Sequence, residues 1–284
     1  MKASLKSAAA RPGVLYLCAT PIGNLSDASF RLIDILSTVT YVAAEDTRVT
    51  QTLLARYHIR TKTISLQKFN ESRRIATLIA DLQDGKSVAL VSDAGMPTLS
   101  DPGSHVVREA HRASIRVEVI PGPSAITALA AASGMAEHGF VFAGFFPRAK
   151  DRNLARLRIL LSIELPLLFF ESPLRMISTL TWISEQLPDA QLAIAKELTK
   201  AFEWMAVGSP TELLRKLQEI PMKGEWCFMM APILTTPQPD DITPWVTALK
   251  AKGLSFADVV AVGAYFFNSP RNVLYRAYHQ KLMK

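Results

Sequence analysis

The stretches of this chain best suited to hold a ligand are TPIGNL at 20–25, EDTR at 45–48, SDAGMP at 92–97 and PGPSA at 121–125. Rich in Pro, Gly and small polar residues, they offer backbone amides and carbonyls with few charged groups. Such a surface suits a neutral or cationic ligand better than a phosphate. The fullest run is Ser87 to Gly103, SVALVSDAGMPTLSDPG. Within it Gly95 leaves the backbone unshielded and Pro97 withdraws an amide donor, while Asp101-Pro102-Gly103 predicts a helix start with Asp101 as N-cap and Pro102 at N1. Asp93 to Thr98 is therefore the first candidate for a pocket wall, with a plain strand-to-helix connection as the alternative.

Missing motifs narrow the chemistry. No GxGxxG follows the first predicted strand and no GxxxxGK[ST] occurs, which argues against a dinucleotide oxidoreductase or a P-loop enzyme. Without HExxH or a Cys/His cluster, no metal site is expected. His105 and His111 fall on a predicted helix, where packing or solvent exposure accounts for them. Ser124 lacks a Gly-x-Ser-x-Gly elbow and reads as a helix cap. Cys18 and Cys227 sit inside apolar strand-like runs, as buried free thiols do in a reducing compartment.

The elements that must position these loops alternate regularly. Strands are predicted at Val14 to Ala19, Thr40 to Ala44, near Thr63 to Leu66, at Val88 to Val91 and at Val117 to Ile120. Between and after them come a helix capped near Ser26, then Val49 to Tyr57, Glu71 to Leu82, a helix ending at His111, and Ala125 to Ser133. This β-loop-α order predicts an α/β fold with a mostly parallel sheet covered on both faces. A second unit begins near Gly122. It has strands at Phe140 to Phe146, Leu167 to Phe170, Leu192 to Ala195, around Phe202 to Ala206 and at Trp226 to Ala231, in a sheet expected to be mixed. Its helices are a basic one at Asp151 to Leu161, then Leu174 to Gln186 and Pro210 to Glu219. Pro232, Pro237 and Pro239 mark a linker, beyond which Pro244 to Lys252, Ser255 to Phe267 and Ser269 to Met283 read as a basic helical tail. The expected organisation is a flexible terminus at 1–13, α/β domains at 14–121 and 122–231, a linker at 232–243 and the tail at 244–284.

The 284 residues suffice for such a core, and 32 Lys plus Arg against 25 Asp plus Glu give a net charge of +7, which admits a nucleic-acid partner. The densest apolar stretch, Leu160 to Phe170, is broken by Ser162, Glu164 and Pro166, too short a run for a membrane span. The first residues lack the apolar core of a secretory signal, so a cytoplasmic protein is expected.

Six stretches in order resemble the RsmI family, the ribosomal RNA small-subunit methyltransferases I. They are TPIGNL (20–25), AAEDTR (43–48), SDAGMPTLSDPG (92–103), PGPSAITALAAASG (121–134), FFESPLR (169–175) and KELTK (196–200), with NVLYRAY (272–278) in the tail. The resemblance implies the tetrapyrrole methylase (class III) fold, two α/β domains with S-adenosylmethionine in the cleft between them, usually as a homodimer. It implies 2′-O-ribose methylation of a cytidine in small-subunit (16S) ribosomal RNA, with the small ribosomal subunit as partner. Carried over by position, Asp93, Ala94, Gly95 and Met96 line the methionine and sulfonium side. Ser124 and Ala125 hold the cofactor from the second domain, Phe170 lies near the adenine, and Thr20, Pro21 and Gly23 form the floor. Met96 stands where relatives commonly carry threonine. Gln67, Lys68 and Phe69 precede Asn70-Glu71 where relatives often carry histidines, which rules out a histidine base there.

Methyl transfer to a hydroxyl is an in-line displacement in which the hydroxyl loses a proton. Glu45, Asp46, Glu171 and Lys196, at predicted strand ends, are the unranked candidates to accept it, and Asp46 with Arg48 could instead brace its loop. Arg48, Lys68, Arg73, Arg148, Lys150 and Arg152, with the basic tail, are candidates for phosphate contacts. A corrinoid or tetrapyrrole methylase would share the fold; the basic tail and the EDTR loop argue against it.

Overall fold

The computed structural model describes residues 9–67, 71–148, 157, 159–161, 163–232, 249–266, 271, 272 and 275. Residues 1–232 form one compact unit and 233–284 another. In the first unit, β1 (Val14–Cys18), β2 (Tyr41–Ala44), β3 (Thr63–Ser65), β4 (Val88–Val91) and β5 (Arg116–Ile120) make a parallel sheet in the order β3-β2-β4-β1-β5. β1, β2 and β4 are buried throughout, which is why their sequences are continuous apolar runs.

Alternate residues of β1 feed two cores. Val14, Tyr16 and Cys18 pack with Leu32, Ile35 and Leu36 of α1 (Phe30–Thr38) and Leu53 and Leu54 of α2 (Thr47–Arg56). Leu15 and Leu17 pack with Leu78 and Leu82 of α3 (Glu71–Gln83) and Val106 and Ala110 of α4 (Ser104–Arg112). Each such leucine contributes about 1.5–3 kcal/mol by leaving water. From the neighbouring strands β1 and β4 the chain departs over opposite faces, to β2 and to β5, so the loops that begin both crossovers meet at the carboxyl ends of the two strands.

The second sheet is mixed, as its pattern predicts. β6 (Val141–Phe145) runs parallel to β7 (Leu167–Glu171), while β10 (Trp226–Met230) runs antiparallel to β7 and to β8 (Leu192–Lys196), and β9 (Trp204–Gly208) antiparallel to β8. The order is β6-β7-β10-β8-β9. On one face α5 (Ala125–Ser133) buries Ile126, Leu129 and Ala130 against Leu168, Ala193, Ala195 and Met229. On the other, α6 (Pro173–Gln186) brings Trp182 to Phe146, whose ring also meets Phe169 and Phe228. α7 (Pro210–Leu217), opened by a Ser209/Glu212 capping box, packs beside α6. In the unit beyond Pro232, α8 (Phe256–Phe266) buries Val259 and Val260 with Leu249 and Leu254 around them. The rest of the expected tail, and most of the basic helix expected at Asp151 to Leu161, lie outside the described residues.

Two helix starts differ from expectation. The cap expected near Ser26 is a 3-10 turn, Leu25–Asp27, closed by Asn24; α1 begins later, with Ser29 Oγ accepting from Leu32 N at 3.1 Å. The start expected at Asp101 is displaced to Ser104, with Gly103 as N-cap at φ 113° and no side-chain cap. Tertiary contacts cause the shift. Gly103 N donates to the buried Glu71 carboxylate at 3.1 Å, and a Cβ on Gly103 would stand 2.6 Å from Leu90 Cδ2. Glycine's left-handed freedom lets the chain turn at that close approach.

Candidate active site

The strand-end loops of the first sheet are bolted to one another. Thr20 and Gly95 exchange both backbone hydrogen bonds, at 2.9 and 3.1 Å, and Thr20 Oγ1 donates to Ser92 O at 3.2 Å. Asp46 N donates to Asp93 Oδ1 at 2.9 Å, tying the EDTR loop to the SDAGMP loop. Gly95 adopts φ 78°, as do two non-glycine residues farther along in the same left-handed region, Thr98 (77°) and Ser100 (74°). For a β-branched threonine this is a costly conformation, held here between the Thr20 bridge at one end and the Glu71 bond at the other. The loop TPIGNL also meets the second half of the unit: Asn24 N donates to Thr199 Oγ1 at 3.2 Å, and Gly23 abuts Thr199 and Lys200.

A cavity of about 430 Å³ lies beside these loops. Asp93, Ala94, Gly95, Met96, Ser124, Ala125 and Phe170 line it, as do Glu45 and Glu171. Thr20 and Pro21 are buried behind it, and from their loop it is Ile22 that reaches the wall. Ser124 is the N-cap of α5 by position, yet its hydroxyl makes no cap hydrogen bond. Sequence reasoning did not assign Ile22, Leu99 to Asp101, Phe145, Glu197, Leu198 and Gly224 to Cys227 to the wall. The last group has a topological reason. β10 is antiparallel, so its first residues, Trp226 and Cys227, lie beside Glu171 and Phe170, the last of β7. The expectation that sites gather at carboxyl ends overlooks the amino end of a reversed strand; the indole N–H of Trp226 is buried without a hydrogen-bond partner among the described residues.

The wall is rich in carboxylates. It includes Glu45, Asp93, Asp101, Glu171, Glu197 and Glu225, and no Lys, Arg or His among the described residues that line it, while Arg175 pairs with Glu171, and Lys200 with Glu197 at 2.8 Å and Glu225 at 2.9 Å, from outside the wall. Such a wall suits a cationic ligand better than a phosphate. Partial desolvation pushes the Asp93 carboxyl up, against the opposing pull of its bond from Asp46 N.

The proton-acceptor candidates are now distinguishable. Asp46 caps α2 and pairs with Arg48, Nη2 to Oδ2 at 2.6 Å; hydrogen bonding from Arg48 holds its carboxyl down at about 2, and it does not line the cavity. Glu171 is fully buried, paired with Arg175, and accepts from Ser172 N and Thr179 Oγ1 at 2.7 Å each. Lys196 is buried with its Nζ 5.9 Å from the centroid of the Trp226 ring, and is not among the lining residues. Glu45, half-buried at the end of β2, lines the cavity. Of the phosphate-contact candidates, Arg48 and Arg148 are exposed, whereas Lys68, Lys150, Arg152 and the side chain of Arg73 lie outside the described residues.

Comparison with known proteins agrees with this geometry. The family model of tetrapyrrole (corrin/porphyrin) methylases matches residues 14–214. Curated relatives called ribosomal RNA small subunit methyltransferase I are 35% identical over 95% of both chains in Bacillus subtilis (strain 168), and 41% identical over 75% of this chain and 96% of the relative in Thermotoga maritima. The chain belongs to the RsmI family of tetrapyrrole methylases. Solved structures share the fold: uroporphyrin-III-C-methyltransferase from Thermus thermophilus at TM-score 0.54 and 17% identity over 76% of this chain and 94% of that one, and a diphthine synthase at 0.60 and 14% over 77% and 89%.

The methyl donor of this RsmI-family chain is S-adenosylmethionine. Its residues fit that group: the acidic wall faces a sulfonium and an ammonium, Phe145 and Phe170 offer aromatic surface to a purine, and no phosphate cradle is needed.

Proposed function

We propose that this chain transfers a methyl group from S-adenosylmethionine to the ribose 2′-oxygen of a cytidine in small-subunit (16S) ribosomal RNA. The observation that carries the reading is the carboxylate-rich cavity, with no Lys, Arg or His among its described lining residues, which suits a positively charged donor and a neutral hydroxyl better than a phosphate. Relatives called ribosomal RNA small subunit methyltransferases, 35–47% identical, support RNA as the acceptor.

When bound, the donor supplies an electrophilic methyl on a positively charged sulfur. Asp93, Ala94, Gly95 and Met96 hold its methionine and sulfonium side, Ser124 and Ala125 grip it from the second sheet's half, and Phe170 packs near the adenine. Thr20, Pro21 and Gly23 back that wall and fix its position through the Thr20–Gly95 bridge. Glu45, half-buried on the cavity wall, accepts the proton that the 2′-hydroxyl gives up, since Asp46 and Lys196 lie off that wall and the Glu171 side chain is fully buried. Aligning the two reactants supplies most of the remaining acceleration. Arg48, Arg73 and Arg148, with Lys68, Lys150 and Arg152, hold RNA phosphates outside the acidic cavity.

The same reading divides the chain into α/β domains at 14–121 and 122–231 with the donor between them, a linker at 232–243 and a basic helical tail at 244–284. It makes the protein a cytoplasmic homodimer working on the small ribosomal subunit. No helix of the described residues is long and apolar enough to cross a membrane.

The test is transfer of labelled methyl to small ribosomal subunits and to free 16S RNA, followed by nuclease digestion and nucleoside analysis. Label in 2′-O-methylcytidine supports the proposal. Label in a base, or transfer to a corrinoid or tetrapyrrole and to no RNA, overturns it.

A further inference from the structure

A second cavity, of about 520 Å³, is lined by Phe146, Pro147, Arg148, Arg175, Trp182 and Glu185, among others. It lies across the β6–β7 edge of the second sheet from the acidic cavity. Phe145 and Phe170 pack together at 5.9 Å and line the acidic cavity, whereas the next residue, Phe146, turns to the opposite face, where it meets Phe169 at 5.2 Å and Trp182 at 5.8 Å. The last residue of this edge strand and the one that follows it thus face the two cavities in turn. One ion pair separates them: Glu171 lines the first, and its partner Arg175, which also donates to Phe146 O at 3.2 Å, lines the second.

Their chemistries are complementary. The first has carboxylates and no cation among its described lining residues; the second has, among its own, two arginines, one acid and an indole. A strand of RNA that places a ribose 2′-hydroxyl in the first carries its 3′-phosphate on the adjacent ribose carbon, so that phosphate needs a cation close to the carboxylate-rich wall. An adjoining aromatic, cationic cavity is what the neighbouring nucleotide of a single strand needs, a ring to stack on and a guanidinium for its phosphate.

We propose that this second cavity is the subsite for a nucleotide flanking the methylated one in single-stranded substrate RNA, the base lying against Trp182 and the phosphate against Arg148. The inference rests on the reading of the chain as an RNA methyltransferase. The full chain and two variants test it: Ser178→Trp, an exposed lining position on α6 that the larger side chain fills, and Arg148→Glu, on the surface. Initial rates of methyl transfer are measured against concentration of small ribosomal subunits or of free 16S RNA, whichever the parent accepts, with donor affinity by calorimetry and folding by thermal melts.

The expected result is a roughly tenfold higher KM for RNA in both variants, with donor affinity and melting temperature as in the parent. An oligocytidylate that quenches indole fluorescence in the parent quenches it less in Trp182→Phe. RNA KM values within about twofold of the parent in both folded variants overturn the subsite while leaving the methyltransferase reading intact. A parent that methylates no RNA overturns both. If Ser178→Trp fails to fold, Arg148→Glu and the quenching difference decide.

Discussion

The bond between Glu71 and Gly103 N carries a test of how the cavity wall is held. Leu99, Ser100 and Asp101 line the cavity, and the segment containing them is pinned by the Thr20–Gly95 bridge before it and by the Glu71 carboxylate after it. Replacing Glu71 by Ala leaves the Gly103 N–H without its charged acceptor. A hydrogen bond of 3.1 Å to a carboxylate is worth about 1.5–3 kcal/mol net. If the whole loss falls on ordering the wall before the donor binds, Kd for S-adenosylmethionine rises about 10- to 150-fold. Glu71 is 8% accessible, so water entering the vacated space moves the effect toward the lower bound. Glu71→Gln keeps a neutral acceptor, worth about 0.5–1.5 kcal/mol, and falls between parent and Glu71→Ala. The same loss lowers the melting temperature by several degrees, at about 2–4 °C per kcal/mol for a unit of this size. Calorimetric titration of the three proteins with S-adenosylmethionine gives the ranking. A Glu71→Ala protein that melts lower yet binds the donor with parental Kd refutes the reasoning: Glu71 would then join α3 to α4 without setting the wall.

Glu45→Gln lowers kcat by about 10²- to 10⁴-fold with little change in donor Kd, measured by single-turnover methyl transfer; parental kcat excludes it as proton acceptor. Asp93→Ala loses donor binding and keeps RNA binding, and because the native Asp93 carboxyl is raised, parental donor affinity falls on acidification before ordinary carboxylates, at about 3.9, take up protons. Asp46, held down at about 2 by Arg48, stabilises the fold above the ordinary aspartate pKa of about 3.9 and loses that contribution as pH falls through its native value. The melting-temperature gap between parent and Asp46→Asn, which keeps a helix cap, should therefore be full at neutral pH and close on acidification towards pH about 2; a gap unchanged down to that pH contradicts the pair. Desolvation pushes the Cys227 thiol up to about 12 and Cys18 up as well, so a thiol reagent at neutral pH labels neither in the native protein and both after unfolding.

What the sequence determined by itself is local and periodic. The apolar runs of β1, β2 and β4, the β-loop-α order and the Pro/Gly-rich loops at 20–25, 92–103 and 121–125 are each specified by residues a few positions apart, through burial pattern and turn chemistry. The same loops, read as a rim for a neutral or cationic ligand, line or back the acidic cavity. Tertiary structure decided what depends on partners far along the chain. Asp101 looked like a cap, but Glu71, over thirty residues away, took the Gly103 amide and moved the helix start. Four ionisable residues were equivalent as strand-end groups until the fold set Asp46 and Lys196 off the cavity wall and buried Glu171 against Arg175. Trp226 and Cys227 reached the cavity because β10 runs against its neighbours, and strand direction is set by which edges pair across the folded sheet, a long-range outcome that period-two patterning does not encode.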